Sequence, residues 1–300
     1  MRKALIFILF FAVNILQSQT LEERLQKFGE VNGKSYIKPF VNAFGANLNS
    51  GLFHSADVST GLDVYVGARF LFALIPSSAQ EFDADMTELN ELRPYPLAPY
   101  PTPIKTATIL GKDGALAISG GVNPDTFKFP DGVNMKVVPF IVPQVSIGNI
   151  FGTRAILRYF PYVKLGDWGE ISFIGVGVQH SIDQWLPVLP FDWSAHAMYQ
   201  AFKIKPVLDA SALSIGTEVS KTFLFATIYG GLAYEFSSME FKYTWTPTSS
   251  ISRDLKFKID GDNSFRLTAG VSLKWLIFNL NAEYNLAKQP VAVLGLGIAI

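Results

Sequence analysis

Ser264-Phe-Arg-Leu-Thr-Ala-Gly-Val-Ser-Leu-Lys-Trp275 and, after Leu276-Ile277, Phe278-Asn-Leu-Asn-Ala-Glu-Tyr-Asn-Leu286 decide the fold class. In the first stretch Phe265, Leu267, Ala269, Val271, Leu273 and Trp275 alternate with Arg266, Thr268, Gly270, Ser272 and Lys274. In the second, Phe278, Leu280, Ala282, Tyr284 and Leu286 alternate with Asn279, Asn281, Glu283 and Asn285. Successive side chains of a strand point to opposite faces, so this period of two predicts a sheet with one apolar and one polar face. Soluble sandwiches use strands of about 5–6 residues, whereas about ten or more cross a membrane when tilted.

The same alternation recurs upstream. Val64, Val66, Ala68, Phe70 and Phe72 oppose Asp63, Tyr65, Gly67 and Arg69. Phe191, Trp193, Ala195, Ala197 and Tyr199 oppose Asp192, Ser194, His196, Met198 and Gln200. Leu213, Ile215, Thr217 and Val219 oppose Ser214, Gly216 and Glu218, and Arg154 and Arg158 share the polar side of another strand. Even positions are apolar from Leu224 to Phe236 and odd ones from Met239 to Trp245, which predicts a bulge near Ser237-Ser238.

Composition agrees with a membrane setting. The chain is 49% hydrophobic and 14% aromatic, with only 17% charged residues against roughly 25% in ordinary globular proteins. Yet beyond Leu16 no apolar run is long enough for a spanning helix. A soluble β-protein or a transmembrane β-barrel remains. With 25 basic and 25 acidic residues the net charge is zero, which argues against nucleic acid as a partner. Without cysteine there is no disulfide, thiolate metal site or lipoprotein anchor. Arg2 and Lys3, the apolar run Ala4 to Leu16 and the small residue Ser18 make residues 1–18 a cleavable signal peptide, too short to be an anchor. The expected address is therefore the bacterial cell outer membrane.

Residues 19–44 form the expected N-terminal helical segment, with Leu21, Leu25 and Phe28 at helical spacing and Tyr36, Ile37, Phe40 and Phe44 after a break at Asn32-Gly33. Residues 45–300 are expected to be an all-β, transmembrane antiparallel β-barrel of about fourteen strands, or twelve as the fallback. Short turns fall at Asn149 to Gly152, Ser220 to Thr222 and Leu276-Ile277, with Pro76 to Gln80 and Asp183 to Pro190 on the same side. Longer stretches, Leu89 to Pro103, Gly121 to Asn134 and Thr246 to Asn263, fall on the other. An even strand number places the helical segment on the periplasmic side, from which it can fold into the lumen as a plug. Trp185 and Trp275 near short turns, and Trp168 and Trp245 near loops, fit aromatic interface belts, with Tyr162, Tyr199 and Tyr243 beside them.

The polar faces supply the candidate lumen-lining residues: Asp63, Arg69, Arg154, Arg158, Asp192, His196, Glu218, Glu235, Arg266, Lys274 and Glu283. Both signs occur, so cross-strand pairing is the expected role of most of them, because an unpaired charge away from water is costly. Three histidines, His54, His180 and His196, are too scattered to hold a metal, and no cofactor motif occurs. Asp192, Ser194 and His196 share one face, but residues two apart on a strand lie about 7 Å apart with parallel side chains. A catalytic triad needs them converging, and no Gly-x-Ser-x-Gly elbow is present, so the chain is not expected to be an enzyme. Leu92 to Pro103 is too rich in proline for a ladder and reads as a stiff loop, with a lid or partner-binding role as the alternative.

Tyr36-Ile37-Lys38-Pro39-Phe40, Phe44-Gly45-Ala46-Asn47-Leu48-Asn49-Ser50-Gly51 and Phe53-His54-Ser55-Ala56 resemble the opening of an uncharacterised outer-membrane barrel family found mainly in Bacteroidetes. Gly175 to Ser181, Leu186 to Pro190 and Tyr229 to Glu235 are similar to the same family. The resemblance covers most of the mature chain; it implies a barrel and an outer-membrane address, and no activity. A plugged barrel of this size is more loosely similar to the long-chain fatty-acid transporters, without a motif that carries over their binding residues. Ile300 departs from the aromatic residue commonest at the end of a barrel's last strand. The expected function is a passive channel or transporter for small, partly apolar molecules, the alternative being a structural or interaction barrel with a closed lumen acting through its loops. The expected partners are outer-membrane lipid, the barrel-assembly machinery and a small-molecule solute.

Overall fold

The computed structural model describes residues 24–25, 27–58, 62–93, 97–164, 170–186, 189–248 and 251–300. The expected signal peptide and Trp168 lie outside them. The chain divides into two compact units, residues 1–41, 75–138 and 240–259 in the first and 42–74, 139–239 and 260–300 in the second. Helix α1 is Glu30–Leu48 and the short helix α2 is Thr87–Glu91. The early strands are β1 (Asp63–Leu74), β2 (Glu81–Ala84), β3 (Ile104–Ala107), β4 (Leu116–Ile118) and β5 (Thr126–Lys128). Then come β6 (Val137–Ile150), β7 (Thr153–Lys164), β8 (Glu170–Ser181), β9 (Asp192–Lys205) and β10 (Leu208–Phe223). The last are β11 (Ala226–Thr248), β12 (Ile251–Asp260), β13 (Phe265–Trp275), β14 (Phe278–Leu286) and β15 (Val291–Ala299).

The second unit is a closed antiparallel barrel. Its ten strands follow the order β1-β6-β7-β8-β9-β10-β11-β13-β14-β15, and β15 returns to β1 with Tyr65 opposite Ala299 and Ala73 opposite Val291. Closure leaves no free edge in the ring of ten, so its strands pair on both sides. The alternation read in the sequence settles which side faces in. Arg266, Thr268 and Ser272 of β13 and Asn279, Asn281, Glu283 and Asn285 of β14 are buried inside, while Leu267, Val271, Leu280, Tyr284 and Leu286 are exposed outside. Hairpins close at one end through Phe151-Gly152, Leu224-Phe225 and Leu276-Ile277. At the other end lie Leu74, the Pro206-Val207 turn and residues 287–290.

The first unit has a core of its own. Phe28 packs on Tyr36 with ring centroids 4.7 Å apart and on Phe129 at 6.0 Å, while Tyr243 meets Phe257 at 5.8 Å. The Tyr243 hydroxyl donates to the Phe28 carbonyl at 3.1 Å, and Tyr36 Oη donates to the Asp131 carbonyl at 3.0 Å. α1 runs through Asn32-Gly33, where the sequence predicted a break, and Gly33 lies so close to the Tyr243 hydroxyl that a Cβ there would clash at 2.6 Å. The proline-rich stretch belongs to this unit: the Asn90 side chain donates to the Tyr100 carbonyl and accepts from its N–H, while Arg93 pairs with Asp125 at 3.0 Å.

Several expectations need correction. The barrel has ten strands, neither fourteen nor twelve, because β2 to β5 are three or four residues long and form two separate ribbons, β2-β3 and β4-β5, and β12 pairs with β11 outside the ring. Strands of that length cannot cross a bilayer. No bulge interrupts β11 at Ser237-Ser238; the strand is continuous, and its buried side keeps odd numbering from Tyr229, Ala233 and Glu235 through Met239, Phe241 and Tyr243. What changes is the chemistry of the two faces, since the outer side is apolar in the barrel and the inner side is apolar in the first unit. The irregularity lies in the returning chain, between Asp260 and Phe265. The β10–β11 turn is Leu224-Phe225 and not Ser220 to Thr222, and Pro76 follows the end of β1 opposite the short turns. Trp245 and Tyr243 are core residues and form no belt, whereas Trp185, Trp275, Tyr162 and Tyr199 are exposed.

Because Trp245 is among the largest fully buried side chains, Trp245→Ala is expected to destabilise the first unit by about 3–5 kcal/mol. Hydrogen exchange of the β12 amides checks this, and unchanged protection would contradict the packing described.

Candidate functional site

The lumen of the barrel is occupied by the chain itself. Residues 42–58, the end of α1 and the extended segment after it, run through the ring from the end near Asp262 to the turn end near Ser220. This path places Asn42 at the end opposite the start of β1, where even strand parity had predicted the helical segment at the same end. The chain must traverse the lumen before β1 begins. Gly45 permits it, since a Cβ there would run into Ser237.

A helix ends with carbonyls that have no intrahelical donor, and cations near its C-terminus also meet the negative end of its dipole. Two buried arginines supply both needs. Arg158 of β7 donates to the carbonyls of Leu48 at 3.1 Å, Ser50 at 2.9 Å and Gly51 at 2.5 Å. Its remaining donors go to Gln144 Oε1 at 3.0 Å and Gln200 Oε1 at 3.1 Å. Arg266 of β13 donates to Asn49 O at 2.6 Å, Ser50 Oγ at 2.7 Å and Ala46 O at 3.0 Å, and pairs with Glu235 at 2.7 Å. Glu283 of β14 accepts from the Gly51 N–H at 3.0 Å.

Further along, Gln144 donates to Leu52 O, Gln179 to Ser55 O and Arg154 to Asp57 O. The Ser220 hydroxyl accepts from the Ala56 N–H at 3.0 Å. Arg69 Nη2 lies 3.0 Å from His54 Nδ1, and a guanidinium only donates, so that nitrogen accepts and a neutral His54 carries its proton on Nε2. Leu52 and Phe53 fill the apolar middle against Ile156, Met198 and Tyr229, and Phe44 stacks on Phe140 and Phe202 at 4.9 and 4.8 Å.

The eleven candidates therefore divide. Arg69, Arg154, Arg158, His196, Glu218, Glu235, Arg266 and Glu283 are buried together inside the ring. Asp63 joins them through its 2.5 Å ion pair to Arg154. Asp192 is half-buried near the turn end and accepts from Ser220 at 3.0 Å, and Lys274 is exposed. Cross-strand ion pairs form for Arg154–Asp63 and Arg266–Glu235, whereas Arg158 and Arg69 spend their donors on the internal segment and on side-chain amides. Gln144, Gln179 and Gln200 were not singled out, although each stands on the polar side of an alternating strand. The partners they serve are backbone carbonyls far away in sequence, which no side-chain pattern announces.

His196 bonds to residues of β10 and not to Asp192 or Ser194, whose parallel placement on one strand argued against a triad. Its Nδ1 lies 2.7 Å from Glu218 Oε2 and its Nε2 lies 3.1 Å from Ser214 Oγ, while Glu218 Oε1 accepts from Ser194 and Gln179. Hydroxyl, imidazole and carboxylate thus form a relay. However, the cavity beside it, lined by Asn49, Gly51, His196, Ser214, Arg266 and Thr268, measures about 10 Å³, room for roughly one water molecule and no acyl substrate. Among the described residues no group of His, Asp and Glu gathers to hold a metal ion.

Arg158→Met is expected to leave the Leu48, Ser50 and Gly51 carbonyls without donors in a dry interior and to cost about 3–5 kcal/mol. Hydrogen exchange along Asn49–Val58 would rise accordingly. Lys274→Met, at an exposed position, is expected to stay within about 0.5 kcal/mol of wild type, and equal effects of the two would refute the anchoring role of Arg158.

Comparison with solved structures finds loose likenesses, among them the following three. Ail, the attachment invasion locus protein of Yersinia pestis, is 10% identical, with 80% of this chain and 97% of that chain covered at a TM-score of 0.24. The outer membrane channel DcaP of Acinetobacter baumannii is 10% identical, with 80% and 96% covered at 0.21. OccK2 of Pseudomonas aeruginosa is 9% identical, with 83% and 99% covered at 0.19. No curated protein matches the sequence. Over residues 1–300 the chain matches a family described as a family of unknown function (DUF6588), and it belongs to that family.

Proposed function

We propose that this protein is an outer-membrane β-barrel whose lumen is closed at rest by residues 42–58, and that it serves as a structural or interaction barrel instead of a standing-open channel. The observation that carries the closed lumen is the segment itself, hydrogen-bonded from Ala46 to Asp57 to side chains of β6, β7, β8, β10, β13 and β14. An eight-strand barrel is only just wide enough for its own side chains, and a ring of ten that also holds a chain segment has little space left. The passive channel expected from the sequence would need that segment to leave, breaking bonds that water only partly replaces.

The membrane address is supported by the outer surface. Val66, Leu157, Val176, Ile215, Leu267 and Leu296 all point outward and are exposed on a barrel whose interior is polar. Transfer of such side chains from water into hydrocarbon contributes about 1.5–3 kcal/mol each, and lipid is the solvent that rewards the arrangement. No helix among the described residues is long and apolar enough to cross a membrane. By the usual asymmetry of bacterial barrels the end with the Phe151-Gly152, Leu224-Phe225 and Leu276-Ile277 turns faces the periplasm. Outer-membrane lipid and the barrel-assembly machinery are the partners this reading requires; a solute and an enzymatic activity are not part of it.

Full-length protein purified from outer membranes is expected to shift its gel mobility on boiling and to give no stable conductance steps in a planar bilayer. Reproducible steps from the intact protein would favour the channel, and recovery as a soluble periplasmic protein would remove the membrane reading.

A further inference from the structure

The barrel's two-residue turns break the usual chemistry of such turns, and they do so in one place. Hairpin turns of this length favour a positive φ at their first residue, a position suited to Gly, Asn or Asp. Here that residue is Phe151 at +53°, Leu224 at +56° and Leu276 at +55°. For bulky side chains this is a genuine outlier, because Cβ crowds the following carbonyl. Among the described residues the other positive φ besides glycine is at Asn134, in the first unit, where the ordinary choice is made.

All three sit at the turn end of the barrel and project away from it: Leu224 is 96% exposed, Phe151 90% and Leu276 74%. Apolar character runs unbroken around the turns as Phe223-Leu224-Phe225 and Trp275-Leu276-Ile277-Phe278. The hairpin tips thus continue the apolar outer surface, with exposed polar groups beside them: Gln184 lies against Gly152, and Thr222 and Thr227 bond each other at 2.9 Å beside Leu224-Phe225. Two lysines also stand nearby. Lys221 turns its ammonium onto the Pro190 carbonyl, and Lys274 stands on the inner side of β13.

We propose that the turn-end rim is a lipid-inserted surface, with Phe151, Leu224 and Leu276 held among the phospholipid acyl chains of the adjoining leaflet. The inference rests on the outer-membrane reading above and adds the depth of this rim. Strain at three apolar tips is tolerated when burial in hydrocarbon offsets it; in water, asparagine or glycine would relieve both the strain and the exposure. A lipid occupant is favoured because the rim is continuous with the lipid-facing surface of the same strands.

The chain has no cysteine, so single nitroxide labels can be placed directly. Leu224→Cys and Leu276→Cys report the rim, with Phe151→Cys as a substitute if either fails to give a heat-modifiable band. Leu296→Cys, outward at mid-barrel, reports the membrane, and Val122→Cys, 98% exposed in the first unit, reports water. The labelled proteins are placed in phosphatidylcholine vesicles with a nickel chelate on both sides, and power saturation compares collisions with oxygen and with nickel. The expected result is an oxygen-to-nickel ratio at 224 and 276 several-fold above that at 122 and close to that at 296. Rim labels that behave like 122 while 296 remains lipid-like would overturn the inference and leave the membrane reading standing. Nickel access at 296 as well would sink both. Aqueous rim labels in vesicles combined with protection from an impermeant maleimide in broken native envelopes, where both faces are accessible, would replace lipid by a protein partner, and would also overturn it.

Discussion

Carbonyls left over at the end of a helix need donors, and in this barrel they find them on the wall. The carbonyls of Ala46, Leu48, Asn49, Ser50 and Gly51 are reached by Arg158 and Arg266 from two different strands. Water serves such groups at an exposed helix end, whereas inside the filled ring side chains of the wall serve them. The dependence is mutual. Each guanidinium is buried and needs acceptors for its several N–H groups, so the segment satisfies the wall as much as the wall holds the segment. Removing either partner would leave the other with unmet polar groups, and this makes the internal segment part of the barrel's structure.

The rest of the barrel follows from that constraint. With the polar network gathered inside, the strands' apolar alternates are left on the outside, an inversion of the soluble sandwich. Strand closure hides every edge, and the inner Asn side chains of β14 bond one another and Ser272, Thr268 and Glu283. β11 shows how local the inversion is. Its inner face passes from Glu235 to Met239 and Phe241 in four to six residues without a change of parity.

Sequence alternation carried the two faces correctly, because a period of two is a local property and Arg266, Asn281 and Glu283 could be placed by counting. The strand number was not local. Between Glu81 and Lys128 the same turn and strand signals occur, but they build short ribbons of the first unit, and only length separates a three-residue ribbon from a spanning strand. Ser237-Ser238 misled for a related reason, since a bulge and a change of environment leave the same trace in a hydropathy pattern. Of the lumen, the charged wall was legible and its partners were not. The carbonyls that Arg158 serves are more than a hundred residues away, and a backbone carbonyl carries no residue-type signature.

The Ser214–His196–Glu218 relay shows why geometry has to be weighed with access. Its distances suit a hydroxyl activated by an imidazole, and Glu218 is oriented by Gln179 and Ser194 as the acid of such a group would be. The same arrangement is also what a buried carboxylate requires when it must be neutralised and fully hydrogen-bonded. Phe53 of the internal segment lies against the imidazole at 5.4 Å, and the neighbouring space holds about one water. A nucleophile needs an electrophile within reach, and here the protein's own segment occupies that place. The relay belongs with Arg158 and Arg266, as a means of closing the lumen without leaving a buried charge unanswered.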